Sequence, residues 1–126
     1  MAKALAQKMF PTEFSFDSAG TDSETSGSAN FKAVSVMGEW GIDLTGHLAK
    51  SITDINISEF DHVIAMDSDL FRSVIAKYPG MEDRTIQWEI DDPLYHPIGT
   101  YRSCAEKIVQ NLRVLADRIG LQKFDS

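Results

Sequence analysis

The sequence predicts one α/β domain over residues 1–126, a three-layer sandwich in which helices cover both faces of a small parallel sheet. Three observations predict it. Segments with helical spacing of apolar residues alternate along the chain with shorter segments typical of strands. The length of 126 residues is that of one domain. The composition, 43% hydrophobic and 25% charged, is that of a chain that buries a core.

The first half of the chain predicts two helices with a strand between them. Apolar residues share one helical face over residues 1–10, and Pro11 stops that helix. Alternating apolar and polar residues predict a strand with one buried face over residues 14–17. The next helix covers residues 30–40, with Gly41 as its stop. The residues that this helix is expected to turn inward are Phe31, Val34 and Met37.

The second half predicts two strands, each followed by a helix. Residues 63–66 form a short apolar run, as in a strand covered on both faces, and residues 68–78 form a helix. Residues 86–90 alternate as a strand does, and a long apolar stripe predicts a helix over residues 101–119. Because parallel strands end at one edge, where ligands bind, the site is expected in the loops that follow them. Those loops are residues 18–21, 67–69 and 91–93.

Charge and cysteine content exclude several function classes. The net charge of -7 opposes binding to nucleic acid, because few cations are present to neutralise phosphates. No apolar run reaches the ~20 residues of a membrane-spanning helix. The single cysteine, Cys104, excludes an internal disulfide and suits a reducing compartment, so we expect a cytoplasmic protein. The spacing of His47, His62 and His96 fits no zinc site, and no metal or other cofactor is expected.

Two acidic loops have alternative interpretations. Asp92, ahead of Pro93, is placed to protonate a leaving group, although an Asp-Pro pair is also a common turn. Asp67 and Asp69 resemble the start of haloacid-dehalogenase-type phosphatases, which would imply a Mg²⁺-dependent aspartate nucleophile. The favoured interpretation is that Asp67 or Ser68 caps the helix that follows and Asp69 lies near its dipole. Cys104 lies inside a helical stripe, which favours a buried thiol over a nucleophile.

Several runs of sequence, in order, resemble the low-molecular-weight protein tyrosine phosphatase and arsenate reductase family. They cover nearly the whole chain. The runs are Met1-Ala2-Lys3-Ala4-Leu5, Asp17-Ser18-Ala19-Gly20-Thr21, Gly41-Ile42-Asp43-Leu44-Thr45-Gly46-His47 with Ala49-Lys50, Phe60-Asp61-His62-Val63-Ile64-Ala65-Met66-Asp67, and Ile90-Asp91-Asp92-Pro93. The second cysteine cluster typical of thioredoxin-coupled arsenate reductases is missing after residue 66, so the chain is more similar to the phosphatases.

The resemblance implies cysteine-based hydrolysis of phosphotyrosine. In the family, a thiolate in a Cys-x5-Arg loop attacks phosphorus, and the arginine and loop amides hold the oxyanion. By resemblance, Asp92 is the general acid, Ser18 and His47 brace the phosphate-binding loop, and Tyr95 falls near the aromatic wall of the substrate pocket. The resemblance implies no cofactor.

This chain departs from the family at the nucleophile. The Cys-x5-Arg loop and the strand before it are expected ahead of Met1, and the residue six places after Cys104 is Gln110. We therefore expect a truncated family domain that is inactive unless the phosphate-binding loop is supplied. The missing strand would leave residues 14–17 and 62–66 facing an empty position in the sheet. Either those strands close up, a homodimer or strand-donating partner fills the position, or the fold is marginal. The alternative role is a pseudophosphatase that binds a partner.

Overall fold

The helices and strands follow the predicted order, except for one strand. The computed structural model describes residues 1–10, 14–19, 31–46, 50–91, 93 and 96–120. The elements are α1 (Ala2–Met9), α2 (Phe31–Glu39), β1 (Val63–Ala65), α3 (Ser68–Lys77), β2 (Thr85–Gln87) and α4 (Ile98–Arg118). Short 3-10 turns lie at Ile52–Asp54, Ile57–Glu59 and Glu82–Arg84.

The sheet pairs β1 with β2 in parallel. Ile64 lies opposite Ile86 in the register. Beyond the ladder, the backbone N–H of Trp88 donates to the carbonyl of Ala65 at 2.7 Å, and the N–H of Ile90 donates to the carbonyl of Met66 at 3.0 Å. These bonds extend β2 toward residues 91–93, as the alternation up to Ile90 predicts. Within the described residues the sheet has two strands.

The predicted strand over residues 14–17 is wrong. Among the described residues, no backbone hydrogen bond joins this segment to β1. The alternation instead reflects an aromatic cluster, in which the rings of Phe14 and Phe16 each meet the ring of Phe10 edge to face, with centroids 5.5 Å apart. Alternation requires only one apolar face, whereas a strand also requires a neighbour to pair with, and no described residue provides one.

The sheet lies between two layers of helices, which confirms the predicted three-layer arrangement. Ile64 and Ile86 pack against the main core, which is formed largely by α1, α2 and α4. Because side chains alternate along a strand, Ala65 and Thr85 face the opposite side of the sheet. On that side α3 contacts both strands and buries Val74.

The main core is built around one stripe of α4. Its members recur at helical spacing, as predicted, and are buried. They are Tyr101, Cys104, Ala105, Ile108, Val109, Leu112 and Ala116. α1 and α2 bury the residues that complete this core. They are Leu5, Ala6 and Met9 in α1, and Ala33, Val36 and Met37 in α2.

The prediction that Phe31 points inward is wrong. Its side chain is 75% exposed. Two helical steps separate it from the buried Ala33, which places it about 160° around the helix axis from that residue. The stripe through Phe31, Val34 and Met37 crosses the helix surface obliquely, so that Phe31 is exposed, Val34 is half-buried against the core and Met37 is buried. The prediction is therefore confirmed for Met37 and wrong for Phe31.

The helix ends follow the expected local chemistry. Asp67 is the N-cap of α3, and one of its carboxylate oxygens accepts a hydrogen bond of 2.8 Å from the backbone N–H of Leu70. Gly41 and Gly120 follow α2 and α4 with φ of 76° each, a left-handed conformation that glycine adopts without a Cβ clash.

None of the described helices is both long and apolar enough to cross a membrane.

Candidate functional site

The structure describes one of the four predicted site residues. Ser18 is half-buried in the segment that follows the aromatic cluster. Asp92, His47 and Tyr95 lie outside the described residues. The site can therefore be built from Ser18 and from the described residues that flank the other three.

Ser18 lies in a cluster of charged side chains that joins three parts of the chain. Its backbone N–H donates to Asp17 Oδ1 at 2.9 Å. Lys50 Nζ donates to both oxygens of the same carboxylate, at 3.2 and 3.0 Å. Lys3 Nζ, on the first turn of α1, lies 3.6 Å from Asp17 Oδ1. Asp17 therefore ties the loop of Ser18 both to α1 and to the segment that follows His47.

The charge of Asp17 is stabilised in the folded state. Burial alone would raise the pKa of its carboxyl group, but the hydrogen bonds from Lys50 and from the Ser18 N–H, with the charges of Lys50 and Lys3, lower the pKa below its ordinary value of 3.8. Lys3 and Lys50 together carry one more charge than Asp17 neutralises, so this cluster is positive although the net charge of the chain is -7.

We expect Asp17→Asn to destabilise the fold modestly and in a pH-dependent way. A folded-state pKa below the unfolded one adds stability above the unfolded pKa, and this stability is lost as the pH falls through the folded pKa. The loss should be at most about 1 kcal/mol at pH 7 because the ion pairs are partly exposed. Urea unfolding of both proteins at pH 7 and near pH 3 checks this, since their stabilities should converge in acid. A difference that grows in acid would contradict it.

The described residues on either side of Asp92 make defined hydrogen bonds. On one side, Ile90 is buried and pairs with Met66 through its backbone N–H. On the other side, the N–H of His96 donates to the carbonyl of Pro93 at 2.9 Å. Lys32 Nζ, near the start of α2, donates to the carbonyl of His96 at 2.8 Å. α2 is thus fastened to the segment between β2 and α4.

A groove of about 520 Å³ separates α1 from the turn that precedes His47. Two lysines line it, and each is engaged, because Lys8 Nζ donates to the carbonyl of Trp40 and Lys3 contacts Asp17. Asp43, on the opposite wall, accepts hydrogen bonds from the N–H and hydroxyl of Thr45. The described residues that line it are Lys3, Ala4, Gln7, Lys8, Gly41, Ile42, Asp43, Leu44 and Gly46. The groove has both polar and apolar walls, and it shares Lys3 with the Ser18 cluster.

The other candidate nucleophiles have structural roles. Cys104 is 7% exposed and lies in the buried stripe of α4, which confirms the prediction of a buried thiol. Asp67 caps α3, and Asp69 forms an ion pair with Arg72 one turn further on, which confirms the N-cap interpretation. Within the described part of the chain, no group of three or more histidine, cysteine, aspartate or glutamate side chains is arranged to hold a metal ion.

The sequence did not single out two of the contacts that shape this region. Asp17 and Lys50 are separated by 33 positions, and Lys32 and His96 by 64. Contacts between residues so far apart in the chain leave no periodic pattern in a single sequence. The only available signal was that Asp17 and Lys50 border the motifs that contain Ser18 and His47.

Known proteins resemble this chain in both sequence and fold. The sequence profile of the family described as "Low molecular weight phosphotyrosine protein phosphatase" matches residues 1–124. A probable low molecular weight protein-tyrosine-phosphatase, EpsP from Ralstonia nicotianae, is 26% identical over 125 residues, which cover 94% of this chain and 86% of that protein.

Two solved structures illustrate the likeness in fold. A low molecular weight protein tyrosine phosphatase from T. tengcongensis is 28% identical, with a TM-score of 0.74 over 81% of this chain and 76% of that one. The YwlE arginine phosphatase from Geobacillus stearothermophilus, 24% identical, has a TM-score of 0.79 over 94% of this chain and 82% of that one. Because the profile spans almost all of the sequence, the chain belongs to the low molecular weight phosphotyrosine protein phosphatase family.

Proposed function

We propose that residues 1–126 are one phosphatase-family domain with a site for phosphotyrosine-type substrates, and that this polypeptide alone is close to inert. One observation carries the proposal. The family profile matches residues 1–124, yet the sequence contains a single cysteine, Cys104, which is buried and is followed six positions later by Gln110 instead of arginine. Removing a covalent nucleophile abolishes most of the rate even where the rest of a site survives.

The remaining residues have defined roles in this proposal. When a phosphate-binding loop with its cysteine is supplied, the thiolate attacks phosphorus and Asp92 protonates the leaving oxygen as the P–O bond breaks. Asp92 then activates the water that hydrolyses the phosphocysteine. Ser18 and His47 brace a phosphate-binding loop when one is supplied, and Tyr95 flanks the aryl group. Two sets of contacts support this arrangement. Asp17 holds the loop of Ser18, and the bond between Lys32 and His96 anchors the segment that contains Asp92.

The test is turnover of p-nitrophenyl phosphate by the 126-residue chain. We expect no hydrolysis above the rate in buffer, and Asp92→Asn should leave that background unchanged. Phosphoarginine is a second substrate for the same assay, because a protein of similar fold is named as an arginine phosphatase. Turnover of either substrate that Asp92→Asn abolishes would show that the chain has a nucleophile that we have not identified.

A second role, as a non-catalytic interaction domain or pseudophosphatase, is favoured by the sheet. Within the described residues, β1 pairs with β2 on one edge and with no strand on the other. An edge of this kind can accept a strand from another chain. The other chain would be either a second copy or a different partner. Light scattering separates the two forms, since a mass of 14.0 kDa at high concentration would exclude the homodimer and leave the strand-donating partner.

A further inference from the structure

The groove between α1 and the turn at residues 41–46 combines an apolar floor with a basic wall. Leu44 belongs to the main core and is 5% exposed, yet it lines the groove, so it lies at the floor. Ala4 and Ile42, both half-buried, extend this apolar surface. Lys3 and Lys8 line the wall that α1 provides. An apolar centre with a charged rim is the usual composition of a surface that binds another chain.

Both lysines of this wall keep donors for a ligand. An ammonium group has three N–H bonds. Among the described residues, Lys8 Nζ has one acceptor, the carbonyl of Trp40, and Lys3 Nζ has one ion-pair partner, Asp17. These contacts hold the two side chains along the groove without using all of their donors. An anionic group in the groove therefore meets cations that are already positioned.

We propose that this groove binds an extended acidic segment of a phosphotyrosine-containing protein. The inference rests on the proposed phosphatase-family function and adds the chemistry of the substrate around its phosphotyrosine. Glutamate side chains of the segment would pair with Lys3 and Lys8, and their methylene groups would pack on the apolar floor of the groove.

The groove reaches the part of the chain that contains Ser18. Lys3 Nζ and the backbone N–H of Ser18 contact the same oxygen, Asp17 Oδ1, at 3.6 and 2.9 Å. The basic wall thus begins one carboxylate away from the loop that is proposed to brace the phosphate-binding loop. An extended chain advances about 3.3 Å per residue. An acidic residue a few positions from a phosphotyrosine at this site would therefore reach Lys3.

The spacing of the two lysines fits alternate residues of an extended segment. Lys3 and Lys8 are five positions apart in α1, which separates them by about 7.5 Å along the helix axis. Alternate side chains of an extended chain lie on the same face, about 6.8 Å apart. The spacing therefore selects two glutamates with one residue between them.

The opposite wall directs acidic side chains toward α1. Asp43 on that wall is charged, because the hydrogen bonds from the hydroxyl and N–H of Thr45 lower the pKa of its carboxyl group below the ordinary value of 3.8. This carboxylate repels acidic side chains. At physiological ionic strength the Debye length is about 8 Å, so the lysines in the groove affect a bound segment more than distant carboxylates of the chain do.

The probe for the groove is a seven-residue peptide, blocked at both ends, with glutamate at its third and fifth positions and alanine elsewhere. The matched control peptide has glutamine at those two positions. In an NMR titration of the full chain, the glutamate peptide should shift the amide signals of Ala4, Gln7 and Leu44 until they saturate. Its affinity should be at least about fivefold higher than that of the glutamine peptide, because two ion pairs are added.

Lys8→Gln tests the assignment on the protein, with Lys107→Gln as its matched control. Lys8 lines the groove, whereas Lys107 is exposed on α4. Lys8→Gln should weaken binding of the glutamate peptide by at least about threefold, Lys8→Arg should restore it, and Lys107→Gln should leave it unchanged. Both glutamine variants remove one positive charge, so a difference between them reports the position of the charge. If Lys8→Gln does not fold, the two peptides decide the question on the wild-type chain.

Three outcomes would overturn the inference: equal affinity for the two peptides, equal weakening by Lys8→Gln and Lys107→Gln, or signal shifts confined to another surface. The same shifts produced by inorganic phosphate at equal concentration would also overturn it, since the groove would then be a site for small anions. None of these results bears on the proposed lack of activity. Turnover of p-nitrophenyl phosphate by the chain alone would contradict that proposal and leave the peptide result unaffected.

Discussion

Leu112→Ala is expected to lower the free energy of unfolding by about 2–5 kcal/mol, because it removes a buried leucine and leaves a cavity. Leu112 is 3% exposed and lies in the stripe of α4 that meets α1 and α2. Urea unfolding followed by far-ultraviolet circular dichroism measures the change.

The control for this variant is on the same helix. Val114 is 65% exposed, and Val114→Ala should change the stability by no more than about 0.5 kcal/mol. Both variants place alanine in a helix interior, so the difference between them reports burial. If the two variants were equally destabilised, α4 would present a different face to the core.

Trp88→Ala is expected to cost about 3–5 kcal/mol, the range for truncation of a buried tryptophan. Trp88 is 6% exposed and belongs to the main core, while its backbone N–H donates to Ala65 across the sheet. Its side chain therefore connects the end of β2 with the helices on one face of the sheet.

Two further variants show whether the loss of stability comes from the volume of the tryptophan side chain or from any substitution at this end of β2. Trp88→Phe keeps an aromatic ring and should lose less than half as much stability as Trp88→Ala. Gln87→Ala, on the exposed neighbouring residue, should have an effect within about 0.5 kcal/mol. A Trp88→Ala protein as stable as Gln87→Ala would contradict the placement of this side chain in the core.

The helices were largely predictable from the sequence because each buries one face. The stripe of α4 from Tyr101 to Ala116 follows the helical period, and Gly120 ends it with a positive φ as expected. Phe31 shows the limit of this approach, since it shares a three-residue spacing with the buried Met37 yet lies on the far side of α2 from Ala33.

The failed strand over residues 14–17 has a different cause. Alternation correctly indicated that Phe14 and Phe16 share an apolar face, but the pairing of a strand depends on its neighbours. Val63–Ala65, with a similarly short pattern, does form a strand because β2 lies beside it. The local pattern of apolar residues determines which way the side chains point. The rest of the chain determines whether a neighbouring strand is available for backbone hydrogen bonds.

The candidate site was predictable only as a set of motifs. The motif that contains Ser18 predicts a role for this loop, but the ion pairs of Asp17 with Lys3 and Lys50 depend on the fold. The contact between Lys32 and His96 likewise arises from the packing of α2 beside the segment that precedes α4. Motif order identifies the family, while the charges that hold the loops require coordinates.

The most direct test of a phosphatase-family fold in which no described residue pairs with the outer edge of β1 is native-state hydrogen exchange of the chain without any partner. The Trp88 amide, bonded to Ala65 at 2.7 Å, should be strongly protected, and the Ile64 amide should exchange at least about a hundredfold faster. Equal protection of the two amides would show that Ile64 already has a strand partner and would contradict the account.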